Sequence, residues 1–205
     1  MTIDEMISKA FRLFDEETDS KYEQDGDRTT ALELANDGYL DICIETKCSR
    51  INGVVTTVVN NRESDQPSDC VGVFSLSYPN GYRFLDPISS RKISINEKGL
   101  PSGYLLKTNK IVFDVIPDTA YVFDIDYANG PTAELTLTSE PSLIPTIWQP
   151  RVLPYFILQG LFAIDKREEV LARAPFWKAQ YEMKRDKMKA YFSSGQYAGR
   201  KPDLG

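Results

Sequence analysis

The segment LIPTIWQPRVLPYFILQGLFAID, residues 143–165, marks the return from strand-like sequence to helical periodicity. Its prolines predict a helix that starts between Pro145 and Pro150 and bends at Pro154. Apolar residues at helical spacing give this helix a wide buried face, formed by Tyr155, Phe156, Leu158, Phe162 and Ile164. Such a face needs other helices to cover it.

Downstream, a last helix is predicted over residues 166–192, with a kink or a short break at Pro175. Its buried side is expected to contain Val170, Ala174, Trp177, Tyr181, Met188 and Tyr191. Its outer side is expected to carry Lys178, Lys184, Arg185, Lys187 and Lys189. The aromatic residues Trp148, Trp177 and Tyr181 are therefore expected to pack between the last two helices rather than to contact a ligand.

The first fifty residues are also helical in pattern. A first helix is predicted over residues 3–14, and Thr2 with Glu5 forms a capping box at its start. A second helix is predicted over residues 28–48, with Asp27 as its cap and an apolar side of Leu32, Ala35, Tyr39, Ile42, Cys43 and Thr46. Two helices cannot close a core alone, so they need the C-terminal pair.

Between these helical ends, the spacing of the apolar residues changes from a period of 3.6 residues to a period of 2. Strands are predicted in INGVVTTVVNN, CVGVFSLS, KISIN, YLLK, KIVFDVI, AYVFDIDY and AELTLT. Turns are expected near Asn52-Gly53, at Pro117-Asp118, and at Tyr78-Pro79-Asn80-Gly81-Tyr82, the clearest hairpin signal. Seven or so short strands of this kind predict a small antiparallel sandwich or barrel.

The predicted fold class is therefore α+β: N- and C-terminal helices form a bundle, and an antiparallel β-sandwich or barrel domain is inserted between them. The expected bounds are 1–50 and 144–192 for the discontinuous helical domain, 51–143 for the β domain, and 193–205 for an extended C-terminal tail. No apolar run approaches the ~18 residues that span a bilayer. The N-terminus is too acidic for a secretory signal, so no membrane partner is expected.

Charge is distributed unevenly along the chain, whose net charge is −6. Residues 1–50 carry thirteen acids and six bases, whereas residues 144–205 carry six acids and eleven bases. Oppositely charged ends could attract neighbouring copies or an acidic partner, and a solvated basic helix explains the C-terminal excess equally well. No surface typical of a dedicated DNA-binding protein is apparent.

The composition excludes most catalytic sites. There is no histidine, so Ser–His, Cys–His and histidine–metal sites are ruled out, and no glycine-rich phosphate loop occurs. Three sparse cysteines indicate inert thiols, and the acidic stretch of residues 15–27 lacks the ligand order of a calcium loop. Asp114, Asp124 and Asp126 alternate with apolar residues and are expected on solvent faces. We therefore predict no enzyme, no metal and no cofactor.

Two places remain as candidate binding surfaces. Tyr78, Asn80 and Tyr82 form the hairpin tip, where the two rings could either anchor a partner or pack onto their own sheet. The tail GQYAGRKPDLG could order on binding, or it could be a frayed end. Its candidate contact residues are Tyr197, Arg200, Lys201, Pro202 and Leu204.

Three of these segments carry a family resemblance. The run ALELANDGYLDI at residues 31–42, the proline-punctuated helix above, and APFWKAQYEMKRDKMKAYF at residues 174–192 resemble the head-to-tail connector (adaptor) proteins of short-tailed and related bacteriophages. The best match is the proline-started helix followed by Trp177 and Tyr181, four residues apart in a basic final helix. The resemblance covers nearly the whole chain in order and length.

The resemblance implies a helical-bundle subunit of a ring, usually twelve-fold, beneath the portal protein. It implies that the C-terminal tail binds the portal, and that the β domain faces the tail nozzle or fibre proteins. The ring would surround double-stranded DNA that passes without specific binding. It further implies a place in the virion neck, after assembly in the host cytoplasm. No segment is assigned to the channel wall.

Two alternatives stay open. The chain could be a tail-completion or baseplate-like module that binds partners through its β domain. It could also be a carbohydrate-active protein, which would have to act through carboxylates alone.

Overall fold

The computed structural model describes residues 1–18, 25–79, 83–94 and 96–193. The chain divides into two compact units. The helical unit contains residues up to Ser49 together with those from Gly130 onward, and the β unit is Arg50–Asn129. Residues 130–143, which the sequence pattern assigned to the β domain, therefore belong to the helical unit. The architecture is α+β, as predicted.

The helices of the helical unit are α1 (Ile3–Thr18), α2 (Asp25–Thr46), α3 (Gln149–Ile164), the one-turn α4 (Glu168–Leu171) and α5 (Ala174–Ser193). The predicted capping box is confirmed: the Thr2 amide donates to Glu5 Oε2 at 2.9 Å, and the Glu5 amide donates to Thr2 Oγ1 at 3.3 Å. Helix α2 begins at Asp25, so Asp27 lies in its first turn and the prediction of Asp27 as the cap is wrong.

Helix α3 begins within the predicted interval and contains Pro154. Because Pro154 has no amide hydrogen, it cannot bond to the carbonyl four residues earlier, at Pro150. That carbonyl instead accepts a hydrogen bond from Lys9 Nζ at 2.7 Å. A lysine of α1 thus replaces the backbone bond that the proline removes. Ile164, predicted to be buried, is 49% exposed at the end of the helix.

The predicted last helix is broken, as Pro175 indicated. Helix α4 ends at Leu171, and α5 starts at Ala174 with Pro175 in its first turn, where proline is tolerated. The predicted residues Val170, Trp177, Tyr181 and Met188 are buried, whereas Ala174 and Tyr191 are only partly covered.

The core of the helical unit draws on both ends of the chain. Its fully buried residues include Ile7 and Phe14 of α1, Ile42 of α2, and Leu158 and Phe162 of α3. At Gly38, an added Cβ would lie 2.5 Å from Phe156 Cδ1, so this position of α2 needs glycine for the close approach of α3. The expectation that distant segments close one core is thereby met.

The β unit contains seven strands within the described residues: β1 (Arg50–Thr56), β2 (Glu63–Asp65), β3 (Cys70–Ser77), β4 (Asp86–Pro87), β5 (Gly103–Lys107), β6 (Lys110–Phe113) and β7 (Val122–Asn129). They form two sheets, ordered β1-β7-β3 and β2-β6-β5-β4. All pairs are antiparallel except β4 with β5. Neither sheet closes into a barrel within this part of the chain, so the barrel alternative is not supported.

Three local predictions in the β unit are wrong. Asn52-Gly53 is not a turn but lies inside β1, where Asn52 pairs with Asp126 of β7. The segment KISIN, residues 92–96, contributes only Lys92 to a 3-10 turn, Ser90–Lys92, and forms no strand in its described residues. Pro117-Asp118 does not close a hairpin, because β6 and β7 belong to different sheets. In the first and third cases, pairing between strands that are far apart in the sequence overrides a local turn signal.

The predicted strand AELTLT, residues 133–138, is likewise absent. Its backbone covers the helical unit instead: the Asp4 amide donates to the Leu137 carbonyl at 3.0 Å. The side chain of Asn36 in α2 binds the backbone of the same segment at Leu135. Asn36 Oδ1 accepts from the Leu135 amide at 2.7 Å, and Asn36 Nδ2 donates to the Leu135 carbonyl at 3.3 Å. The alternating leucines therefore pack on helices and not in a sheet.

The core of the β unit contains residues from both sheets. Phe113 of β6 and Phe123 of β7 are fully buried, with their ring centroids 5.5 Å apart. Val55 and Leu76 join them from β1 and β3. Along β7 the residues alternate between buried and more exposed, as the period of 2 predicted.

Candidate interaction surfaces

A charged seam joins α2 to α5 in the helical unit. The Tyr181 hydroxyl donates to Asp41, and Arg185 lies 3.9 Å from the same carboxylate. One turn further along both helices, Lys189 Nζ lies 3.5 Å from Glu45 Oε2. Part of the opposite charge of the two chain ends is therefore neutralised inside one copy.

Two residues predicted on the outer side of the last helix are half-buried. Arg185 reaches the seam, and Lys184 Nζ lies 4.0 Å above the ring of Tyr155. Lys178, Lys187 and Lys189 are exposed, as predicted. These two side chains are less exposed than predicted because the stems of long cationic residues cover apolar and aromatic surface.

Burial raises the pKa of Tyr181 far above its ordinary value, and the hydrogen bond to Asp41 adds to the rise. The phenol of the unfolded chain ionises near pH 10, whereas the folded phenol stays protonated. The free energy of unfolding should therefore fall as the pH rises above about 10, because the unfolded state then binds fewer protons.

We expect Tyr181→Phe to remove this alkaline loss, which one such group sets at about 1.4 kcal/mol per pH unit. The measurement is the urea midpoint of both proteins between pH 9 and 11.5. Tyr155→Phe is the control, since Tyr155 belongs to the same helical unit and its ring lies under Lys184, outside the seam. Equal slopes for wild type and Tyr181→Phe would contradict the expectation.

Lys9 lies where α1 meets the start of α3, near two other cations, Arg12 and Lys184. Burial lowers the pKa of Lys9, and the nearby charges of Lys184 and Arg12 lower it further. Since Lys9 already donates to the Pro150 carbonyl, its position has a structural explanation. This group of cations therefore does not need a bound anion to account for it.

The hairpin predicted at residues 78–82 has the flanks that a hairpin requires. The Tyr78 amide donates to the Arg83 carbonyl at 2.8 Å, and Ser77 bridges Phe84 in antiparallel fashion. The Tyr78 ring lies edge-on to Phe123, with centroids 5.2 Å apart, and its hydroxyl donates to the Pro101 carbonyl. Tyr78 thus packs largely on its own unit.

The other predicted contact residues lie outside the described part of the chain. Asn80 and Tyr82 belong to this group, as do the tail residues Tyr197, Arg200, Lys201, Pro202 and Leu204. Helix α5 ends at Ser193, where the tail begins. The partner contacts of the hairpin tip and of the tail therefore stay predictions.

The strand acids are held in structural contacts. Asp114 accepts from the Ser102 hydroxyl at 2.6 Å and from the Ser102 amide at 3.0 Å. Asp126 accepts from Arg50 Nε at 2.7 Å. An open groove of about 460 Å³ runs beside Asp114, and its lining residues are Asp86, Pro87, Ile88, Lys92, Ser102, Gly103 and Asp114. Nothing in these contacts favours carboxylate catalysis.

Cys43, Cys48 and Cys70 form no disulfide bond. Cys43 is buried, and its hydrogen bond to Cys48, together with burial, raises the pKa of the Cys43 thiol. Within the described residues, no three side chains of the metal-binding types lie close enough to hold an ion. No described helix has both the length and the apolar character to cross a bilayer.

The model of the SU10 adaptor protein family matches residues 1–201. The chain therefore belongs to the SU10 adaptor protein family, which makes it a bacteriophage head-to-tail adaptor. No curated protein matches the chain.

Family membership confirms the resemblance drawn from the three helical segments. It implies a structural protein of the virion neck that works among portal and tail components. Structural adaptor families of this kind are typically non-enzymatic. The seam at Asp41 was missed by sequence reasoning, because its partners are 140 and 144 residues away along the chain. The only local signal was the excess of acids in one end and of bases in the other.

Proposed function

We propose that copies of this chain form a ring that joins the portal vertex to the tail and surrounds the path of the DNA. The observation that carries the proposal is the family match, which spans residues 1–201 and so includes most of the tail. A ring of about twelve copies uses contacts between unlike faces of neighbouring subunits. The acidic N-terminal helices and the basic C-terminal segment supply such faces.

In this proposal the tail, residues 193–205, binds the portal protein. Its aromatic Tyr197, adjacent cations Arg200 and Lys201, and apolar Leu204 provide the groups that a short segment needs to order on a partner. The β unit, as a two-layer sandwich, faces the nozzle or fibre proteins and uses the hairpin tip as its contact. The meeting of Phe113 and Phe123 from different sheets supports the sandwich packing.

Double-stranded DNA passes through the ring without specific binding. The excess of thirteen acids over six bases in residues 1–50 is compatible with this role, since an acidic wall repels phosphate and does not retain it. No described element is assigned to the wall.

The test is the mass of the protein alone and after mixing with the portal, measured by native mass spectrometry. We expect a monomer that converts to a portal complex with many copies. A chain that ends at Phe192 should bind the portal at least about tenfold more weakly, because the ordered contacts of the tail are lost.

A length-matched variant, with residues 193–205 replaced by glycine and serine, is the control that separates the tail's sequence from its mere presence. It should bind as weakly as the truncated chain. Unchanged affinity of the truncated chain would sink the role of the tail. A small oligomer that ignores the portal would favour a tail-completion module instead.

A further inference from the structure

We infer that Cys43 and Cys48 form a redox-active dithiol, which a small-molecule disulfide of the glutathione class oxidises to an intramolecular disulfide bond at the end of α2. In the reduced chain, neither cysteine is bonded covalently to another. The inference assigns a modification site to the helical unit. It does not depend on the proposed ring, because both sulfur atoms belong to the helical unit of one copy.

The backbone at the end of α2 brings the two cysteines together. Helix α2 ends at Thr46, and Lys47 has a positive φ of 49°, in the left-handed region. The Lys47 amide donates to the Cys43 carbonyl at 3.0 Å. A left-handed residue directly after a helix reverses the chain, and the side chain that follows it commonly returns to the last turn of the helix. Here that side chain is Cys48, and it meets Cys43.

The two thiols form a short chain of hydrogen bonds. Cys43 donates to the Cys48 sulfur, so the two sulfur atoms are neighbours before any oxidation. Cys48 Sγ in turn donates to the Leu143 carbonyl at 3.3 Å. The Leu143 amide donates to the Tyr39 hydroxyl at 3.0 Å. Both backbone groups of Leu143 are therefore held by α2 and the residues that end it.

The two thiols differ in exposure and acidity, which gives them different roles. Cys43 is 1% exposed, whereas Cys48 is partly exposed, so an oxidant reaches Cys48 first. The hydrogen bond from Cys43 lowers the pKa of the Cys48 thiol against the opposing effect of burial. The thiolate is the form that attacks a disulfide. Cys48 is therefore the attacking cysteine, and Cys43 completes the bond.

The oxidation consists of two thiol–disulfide exchanges. The Cys48 thiolate attacks one sulfur of oxidised glutathione, so a bond from Cys48 to glutathione forms, the glutathione S–S bond breaks, and one glutathione thiolate leaves. Cys43 then loses its proton to solvent, and its sulfur attacks Cys48, which releases the second glutathione. The two protein thiols lose two electrons and two protons, and one oxidised glutathione becomes two reduced molecules.

Oxidation exchanges one contact at the end of α2 for another. Without its hydrogen, Cys48 no longer donates to Leu143, and a covalent bond ties it to the last turn of α2 instead. Cys48 lies two residues before Arg50, where the β unit begins. A reducing cytoplasm keeps such a pair as thiols, and an oxidising medium favours the disulfide. The start of the connection to the β unit therefore differs between the two redox states.

The test equilibrates the folded Cys70→Ser chain with defined ratios of reduced to oxidised glutathione and maps the products by mass spectrometry of peptides. The chain has three cysteines, so this substitution leaves the pair alone. We expect a disulfide between Cys43 and Cys48, seen as the loss of two hydrogen atoms. Its equilibrium constant should be at least about tenfold larger than for the same chain in concentrated urea, because the fold holds the two sulfur atoms together.

Two further variants separate the roles of the thiols. Cys43→Ala should stop at the mixed disulfide of Cys48 with glutathione. Cys48→Ser should react at least about tenfold more slowly, because the remaining thiol is buried. Accumulation of the mixed disulfide in the chain that keeps both cysteines, or an equilibrium constant no larger than in urea, would overturn the inference. The equilibrium measurement requires neither variant to fold.

Discussion

Replacing Phe162 with alanine is expected to lower the free energy of unfolding of the helical unit by about 3–5 kcal/mol. Phe162 is fully buried in α3 and lies between rings from both ends of the chain. Its centroid is 4.6 Å from that of Phe14 in α1 and 5.7 Å from that of Trp177 in α5, with which it stacks. The truncation therefore opens a cavity where three helices meet.

The measurement is urea unfolding followed by tryptophan fluorescence. Both tryptophans of the chain, Trp148 and Trp177, lie in the helical unit, so the signal reports on that unit alone. Phe176→Ala is the control, since Phe176 is 56% exposed and should change stability by less than about 0.5 kcal/mol. A loss below about 1 kcal/mol for Phe162→Ala would show that the three helices do not share this core.

Replacing Phe123 with alanine should likewise lower the free energy of unfolding of the β unit by about 3–5 kcal/mol. Phe123 is fully buried in β7 and contacts Phe113 of the other sheet. Tyr78, beside the hairpin tip, lies edge-on to the same ring. The alanine variant should therefore loosen both sheets and the hairpin flanks together.

Hydrogen exchange of backbone amides is the suitable measurement for this variant, because tryptophan fluorescence does not report on the β unit. We expect faster exchange in β3, β6 and β7. Val122→Ala is the matched control: Val122 is the neighbouring residue and is 45% exposed on the opposite face of β7. If β6 kept its protection in Phe123→Ala, the sheets would not share one core.

Local signals in the sequence were sufficient to predict where helices start and break at Thr2 and Pro175. The capping box at Thr2 and the break at Pro175 depend on neighbours within four residues, and both are present in the structure. They succeeded because capping and proline geometry act over one helical turn, whatever the rest of the chain does. Helix α2 starts at Asp25, three residues before the predicted start at residue 28, which is close to the usual uncertainty at a helix end.

The strands were harder to place. Asn52-Gly53 has a turn composition but lies inside β1, since β7 pairs along its whole length. AELTLT has the alternation of a strand, yet Asn36 and the first turn of α1 hold its backbone. Alternation shows that a segment has two unlike faces, but it does not identify the element that covers the apolar one.

The functional predictions differ in how far they are tested: the family is confirmed, whereas the partner contacts are not tested. The resemblance to head-to-tail adaptors, now confirmed by the family match, came from helical segments whose order and length are readable along the chain. The tail and the hairpin tip were also chosen from the sequence, and their contacts stay predictions.

Local patterns along the chain were enough to predict the α+β class, the helical ends with a β region between them, the capped and proline-broken helices, and the unequal charge of the two ends. The charged side chains that pair within one copy could be identified only from the folded chain. Asp41 and Arg185 are 144 residues apart, and folding alone brings them to 3.9 Å. The physical reason is that capping and periodicity are local, whereas pairing of side chains and strands depends on which distant surfaces are buried together.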